Sequence, residues 1–134
     1  MQLTNIARDV VEDDKRNRQY INSDFNTITQ TLKMADLFYN SSFASIKEIP
    51  FNSRFAILVA RRLYKEIGNK ILRKKNIINY KKSGKIYVSN IGKLYQTFLA
   101  FVDLLLLFFI KDNEHLRKTE HSIINEEIDL NERI

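Results

Sequence analysis

Apolar residues at Leu3, Ile6, Ala7, Val10 and Val11 recur at i, i+3, i+4, i+7 and i+8, the stripe of an amphipathic helix. Beside it Asn5, Asp9 and Asp13 follow one another at one-turn intervals and form a polar ridge. The segment Asn22-Ser23-Asp24-Phe25-Asn26 reads as a turn with several candidate N-caps. A second helix is expected from about Ile28 to Tyr39, with Ile28, Leu32, Ala35 and Tyr39 on one face. A short segment over 42–49 ends at Pro50, whose ring disfavours helix at the residue before it. From Ser53 to about Leu72, residues Ala56, Ile57, Ala60, Leu63, Tyr64, Ile67 and Ile71 again keep helical spacing. Gly68 inside that helix costs about 1 kcal/mol relative to alanine, so it is expected where a neighbour packs closely. Residues 73–88 are basic and irregular, with a turn at KKSGK, and Ser89 is placed to cap a last long helix through about Ile110.

That last helix holds LYQTFLAFVDLLLLFFI, seventeen residues that are apolar nearly all round. At 1.5 Å per residue the run reaches about 26 Å, short of the ~30 Å hydrocarbon core of a bilayer. Asp103 sits in its middle, where insertion would cost roughly 2.5–3.5 kcal/mol. The pattern therefore predicts a buried or membrane-apposed helix rather than a transmembrane one. Residues 111–134 read as an acidic amphipathic tail carrying Ile123, Ile124, Ile128 and Leu130. His115 and His121 are six apart, off the i, i+4 spacing that two ligands on one helix face need, and read as surface histidines.

Composition narrows the class. One proline and three glycines in 134 residues argue for an all-α chain over a turn-rich β fold. The absence of cysteine removes disulfides and thiolate metal sites and fits a reducing compartment. The N-terminus lacks the basic stub, apolar run and small-residue site of a signal peptide, so a cytoplasmic location is expected. Net charge is +6, but between Arg54 and Lys93 twelve basic residues face the single acid Glu66. An acidic head and a basic middle admit three partners: a diphosphate, an anionic membrane surface or nucleic acid. A solvated helix face with a basic loop is the plain alternative. No helix-turn-helix signature or aromatic-interleaved stacking motif supports a nucleic-acid partner, and none is expected.

Four carboxylates crowd six positions of the first helix: Asp9, Glu12, Asp13 and Asp14. Like charges one turn apart destabilise a helix by a few tenths of a kcal/mol, roughly, so a nearby cation is needed to make the arrangement favourable. Mg²⁺ prefers oxygen ligands and commonly takes one or two carboxylates, completing its shell with water and phosphate oxygens. The ridge suits that role. A solvated acidic face with Arg8 and Glu12 paired at i, i+4 explains the same spacing.

The run QLTNIARDVVED followed by RQY resembles the second aspartate-rich motif of the squalene/phytoene synthase family. Gln2, Leu3, Thr4, Asn5, Ile6, Arg8, Asp9, Val10, Glu12 and Asp13 match the family pattern, as do Arg18 and Tyr20, whereas Asn17 replaces the usual glycine and Ile21-Asn22 the usual Leu-Pro. The resemblance continues through Tyr39, IPFNSRFAILVARRLY and KIYVSNIGKL, covering about residues 2–95 in family order. It implies an all-α isoprenoid synthase bundle that joins two prenyl diphosphates head to head, with Mg²⁺ (Mn²⁺ as a substitute) on the diphosphates. On that analogy Asn5, Asp9, Glu12 and Asp13 would be metal-side ligands. Gln2, Arg8, Arg18, Tyr20, Tyr64 and Lys85 would contact substrate, and Asp9, Asp13 and Tyr64 would serve the chemistry. Lys85 stands where arginine is usual; it keeps the charge and loses the two-pronged hydrogen bond.

Family members carry a first aspartate-rich motif on a preceding helix, and this chain supplies none. The resemblance thus implies the C-terminal half of a synthase domain over residues 1–110, truncated at its N-terminal side, followed by the tail 111–134. The missing N-terminal half is then an implied partner, and half a bundle is expected to leave apolar faces uncovered and to be poorly soluble or molten alone. Phytoene-type synthesis from geranylgeranyl diphosphate is the leading expectation. A squalene- or hopanoid-type synthase using farnesyl diphosphate, an inactive helical fragment and a basic module for nucleic acid or anionic lipid are the alternatives. Peripheral contact with the inner face of a membrane fits the lipophilic substrates.

Overall fold

The computed structural model describes residues 1–110. The acidic tail and both histidines lie outside the described residues. Those described are all-α, with no strand among them: α1 (Gln2–Lys15), α2 (Phe25–Ser41), a 3₁₀ turn (Ala44–Glu48), α3 (Phe51–Leu72), α4 (Ile77–Lys82) and α5 (Asn90–Phe109). Three starts are set by side-chain caps that satisfy orphan amide donors. Asp24 accepts from the Thr27 amide at 2.8 Å, Asn76 from that of Asn79 at 2.8 Å, and Ser89 from that of Gly92 at 3.2 Å. A Cβ on Gly92 would lie 2.9 Å from Val88 Cγ1 and 3.1 Å from Ser89 Oγ, so a larger residue there would push Val88 aside as the cap closes.

The faces of α1 and α2 follow the hydrophobic pattern. On α2 the buried residues are Ile28, Leu32, Ala35 and Tyr39; on α1 they are Thr4, Ala7 and Val10. Helix α3 is the spine, packed against α1, α2, α5 and the 3₁₀ turn. It therefore buries more than one stripe. Ile67 and Ile71 face α1 and α2, whereas Leu58, which the single-stripe reading omits, is fully buried towards α5 and Ala56 is exposed. Two apolar clusters result. One joins Ala7, Val10, Ile28, Leu32, Ile67 and Ile71 to Tyr80, Ile86 and Val88; the other joins Ile46, Leu58, Ala100 and Leu107.

The basic stretch 73–88 is more ordered than its composition predicts. It contains the six-residue α4, and Tyr80, Ile86 and Val88 anchor it into the first cluster. Gly68 is buried and abuts Leu32, but a Cβ there would meet Leu32 Cδ2 at an ordinary 3.4 Å. Close packing is real at this position without excluding alanine.

Asp103 explains how the apolar α5 is held. It is buried, and Arg62 grips its carboxylate with two 2.6 Å hydrogen bonds, while Arg61 stands 3.6 Å away. Arg61 also donates to the Tyr39 carbonyl at 2.8 Å and lies over the Phe43 ring. The acid that argued against membrane insertion is the residue that pins α5 to α3. The opposite side of α5 is bare: Ile91, Leu94, Tyr95, Phe98, Phe101, Leu105, Phe108 and Phe109 are exposed. By length and hydropathy α5 could cross a membrane, but its polar contacts all turn inward to α3.

Candidate functional site

Each residue of an α-helix advances about 100° round the axis, so the ridge Asn5, Asp9, Asp13 drifts by about 40° per step. The drift has consequences for what each residue meets. Asn5, nearest the start, faces α3, where its amide nitrogen donates to the Tyr64 hydroxyl in a long 3.5 Å bond. Its amide oxygen is buried and has no hydrogen-bond partner. A buried acceptor left unpaired is uncommon and costs about 1–3 kcal/mol, which makes it the most informative atom of the ridge.

Asp9, one turn on, is half-buried and ion-paired. Arg8 Nε and Nη2 donate to its two oxygens at 2.9 and 3.0 Å, and Lys85 Nζ lies 3.3 Å from Oδ1. The hydrogen bond from Arg8 holds the Asp9 carboxyl below the usual carboxylate range, against the opposing effect of burial. Lys85 donates to Glu12 Oε2 at 2.7 Å, and that bond raises the lysine above its ordinary value. The simple Arg8–Glu12 pairing of an isolated helix is thus absent; Arg8 turns to its sequence neighbour, and Glu12 takes a lysine from the far end of the fold. Asp13, carried further round, lies beside Ile6, Val10, Arg18 and Tyr20 in a shallow groove. Arg18 and Tyr20 are exposed, as is Gln2, and among the described residues no hydrogen bond or ion pair joins any of the three to Asn5 or Asp9.

The ridge is fixed from beneath. Tyr80, which sequence pattern alone did not single out, sends its hydroxyl to the carbonyl oxygens of Ala7 and Arg8 at 2.9 and 2.7 Å. Burial pushes that phenol up to about 12. Thr4 shares a 2.9 Å hydrogen bond with the buried Tyr39 hydroxyl, tying the start of α1 to α2. The only signal for Tyr80 was the alternation of Ile86 and Val88 after it, an anchoring pattern inside a stretch otherwise read as solvated loop.

Next to the ridge an open cleft of about 630 Å³ runs between α2 and α3. Leu32, Ala35, Leu37, Gly68 and Leu72 give it apolar walls, Lys33, Asp36, Lys65 and Asn69 line it as well, and Tyr64, which accepts from Asn5, is shared with the ridge. A cleft with apolar walls and charged side chains among its lining can take an amphiphile with a charged head.

The donor set suits a hard cation: one amide oxygen without a partner, then carboxylates along the same ridge. Among the described residues no three acidic or histidine side chains converge as a cage. Mg²⁺ does not need one when phosphate oxygens complete its shell. Along this ridge the Asp9 and Glu12 carboxylates are engaged by Arg8 and Lys85, so an ion would have to displace those partners.

Two curated proteins align with this chain, both named 15-cis-phytoene synthase. The one from Paracoccus sp. (strain N81106 / MBIC 01143) is 31% identical over 88 residues, covering 52% of this chain and 29% of the relative. The one from Enterobacter agglomerans is 28% identical over 92 residues, covering 53% of this chain and 31% of the relative. The alignments thus span under a third of each relative's length. No protein-family model matches the chain, and no solved structure does. The alignments support a distant relationship to bacterial phytoene synthases.

Proposed function

We propose that this chain carries the second metal-and-diphosphate wall of a phytoene-synthase-like prenyltransferase, acting on prenyl diphosphates of the geranylgeranyl class. One observation supports the reading above the others: the buried, unpartnered Asn5 oxygen stands on the ridge with Asp9 and touches, through its amide, the tyrosine that lines the apolar cleft. The prenyl chain would lie along Leu32, Ala35 and Leu72, away from water that would otherwise quench an allylic cation. Asn5 and Asp9, with Glu12 and Asp13 further along, would hold Mg²⁺, which when bound neutralises charge on the departing diphosphate. Arg8 and Lys85, which bond to Asp9 and Glu12, would be the cations to meet that diphosphate.

The direct experiment grafts residues 1–110 in place of the matching segment of the Paracoccus enzyme and supplies geranylgeranyl or farnesyl diphosphate with Mg²⁺. Phytoene is the expected product. Squalene-type product from the farnesyl substrate would replace the substrate class, and a folded graft without product would favour the inactive-fragment reading. We also place the chain at a membrane surface, supported by the bare apolar side of α5 and by lipophilic substrates. Flotation with liposomes tests this, and a chain that stays at the bottom of the gradient in a detergent-free buffer would dismiss it.

A further inference from the structure

A single ammonium bridges two carboxylates of the acidic ridge. Lys85 Nζ lies 2.7 Å from Glu12 Oε2 and 3.3 Å from Asp9 Oδ1. The two acids are three apart on α1 and share a face. Arg8 donates to Asp9, whereas Lys85 is the partner that reaches both acids, from 73 residues beyond Glu12.

The backbone that delivers this lysine is held on either side. Ser83 Oγ donates to the Tyr80 carbonyl at 2.7 Å, and Ile86 and Val88 are buried in the first apolar cluster. Gly84, between Ser83 and Lys85, turns the chain with φ 62°. The segment is thus fixed, and what can move is the flexible four-carbon stem of the lysine. That side chain is 27% exposed and lines an open cleft of about 440 Å³, which gives the stem room to swing away from the ridge.

Ion pairs this open to solvent add little to stability. Their effect on a competing cation is direct, because two cations between the same carboxylates repel one another. Mg²⁺ also takes oxygen ligands in near-octahedral order, and an ammonium group has only donors to offer.

We propose that the Lys85 ammonium is a built-in placeholder for a divalent cation: it holds the position between Asp9 and Glu12 and gives way when the cation arrives. The proposal rests on the metal ridge of the function proposed above and adds to it a residue that sets how readily the ridge loads. By linkage, a contact that draws Lys85 away raises the affinity for metal, and metal on the ridge frees Lys85 for such a contact.

The test uses the full 134-residue chain in mild detergent and counts bound Mn²⁺ from its electron paramagnetic resonance. Lys85→Met is expected to bind Mn²⁺ about fivefold or more tightly than the parent, whereas Lys85→Arg, which can refill the position, stays near it. A second measurement needs no variant. Acetic anhydride footprinting of the parent, read by mass spectrometry, should find Lys85 about twofold or more reactive in Mg²⁺ than in EDTA, with exposed Lys81 unchanged. Unaltered affinity in Lys85→Met, metal bound by neither protein, or a Lys85 reactivity indifferent to Mg²⁺ overturns the proposal. Binding that Asp9→Asn abolishes and Lys85→Met leaves as it was sinks the placeholder while the prenyltransferase reading stands. Tighter binding in Lys85→Met alongside an inactive graft does the reverse.

Discussion

At the scale of single residues, the ridge is organised by charges that neutralise one another before any ligand arrives. Asp9 has a depressed folded-state value because Arg8 hydrogen-bonds its charged form. A depressed carboxylate contributes stability above its unfolded value near 4 and loses it as pH falls through the folded value. Asp9 is partly screened by solvent, so the contribution is about 1 kcal/mol. Asp9→Asn should therefore be less stable than the parent at pH 7 and converge with it as pH falls through the depressed folded-state value, as urea midpoints across pH will show. A second residue, Asn17, stands where the motif that the sequence resembles carries glycine. Asn17, in place of glycine, has φ 54°, the left-handed region that glycine favours and asparagine tolerates. Asn17→Gly is expected to change stability by less than about 1 kcal/mol, whereas Asn17→Val should lose about 1–2 kcal/mol. Thermal melts of the two variants distinguish the cases.

At the scale of elements, what was legible in the sequence was whatever a single helix decides by itself. The α2 face and the Ser89 cap follow from spacing within one segment, and the structure places both as the pattern predicts. What was not legible depends on a second segment. Leu58 is core because α5 covers that side of α3; Glu12 meets Lys85 rather than Arg8 because the 83–88 segment returns to α1; Tyr80 matters because its hydroxyl finds two α1 carbonyls. None of these partners is close in sequence. The Asp103 clasp is the sharpest case. Periodicity marks Asp103 as an intruder in an apolar run, yet Arg62, which donates to it, and Arg61, which stands within ion-pair distance, both lie on α3. Removing one partner of a buried pair leaves charge uncompensated, so Asp103→Leu is expected to destabilise the α3–α5 contact by about 3 kcal/mol. Combining it with Arg61→Met and Arg62→Met should recover most of that loss, and denaturant titration of both variants measures the difference.

At the scale of the whole molecule, the described residues form one and a half layers of a bundle rather than a closed one. Helix α3 is covered by α1 and α2 on one side and by α5 on the other, but nothing among the described residues covers α5 in turn. Its outer stripe of Leu94, Phe98, Phe101, Leu105 and Phe109 is continuous with exposed Phe51, whose ring lies 6.3 Å from that of Phe108. A contiguous aromatic and aliphatic face of this kind exceeds what a soluble monomer normally leaves in water. The net charge of +6 opposes association over long range, but salt screens it within about 8–10 Å and leaves the apolar contact unopposed. The isolated chain should therefore self-associate as salt is raised and return to monomer in mild detergent. Phe98→Lys together with Leu105→Lys, both on the outer side, should give a monomer in either condition without loss of helical signal. Light scattering with circular dichroism reads both properties. A parent chain that stays monomeric at high salt without detergent would show that this face is covered by something within the molecule.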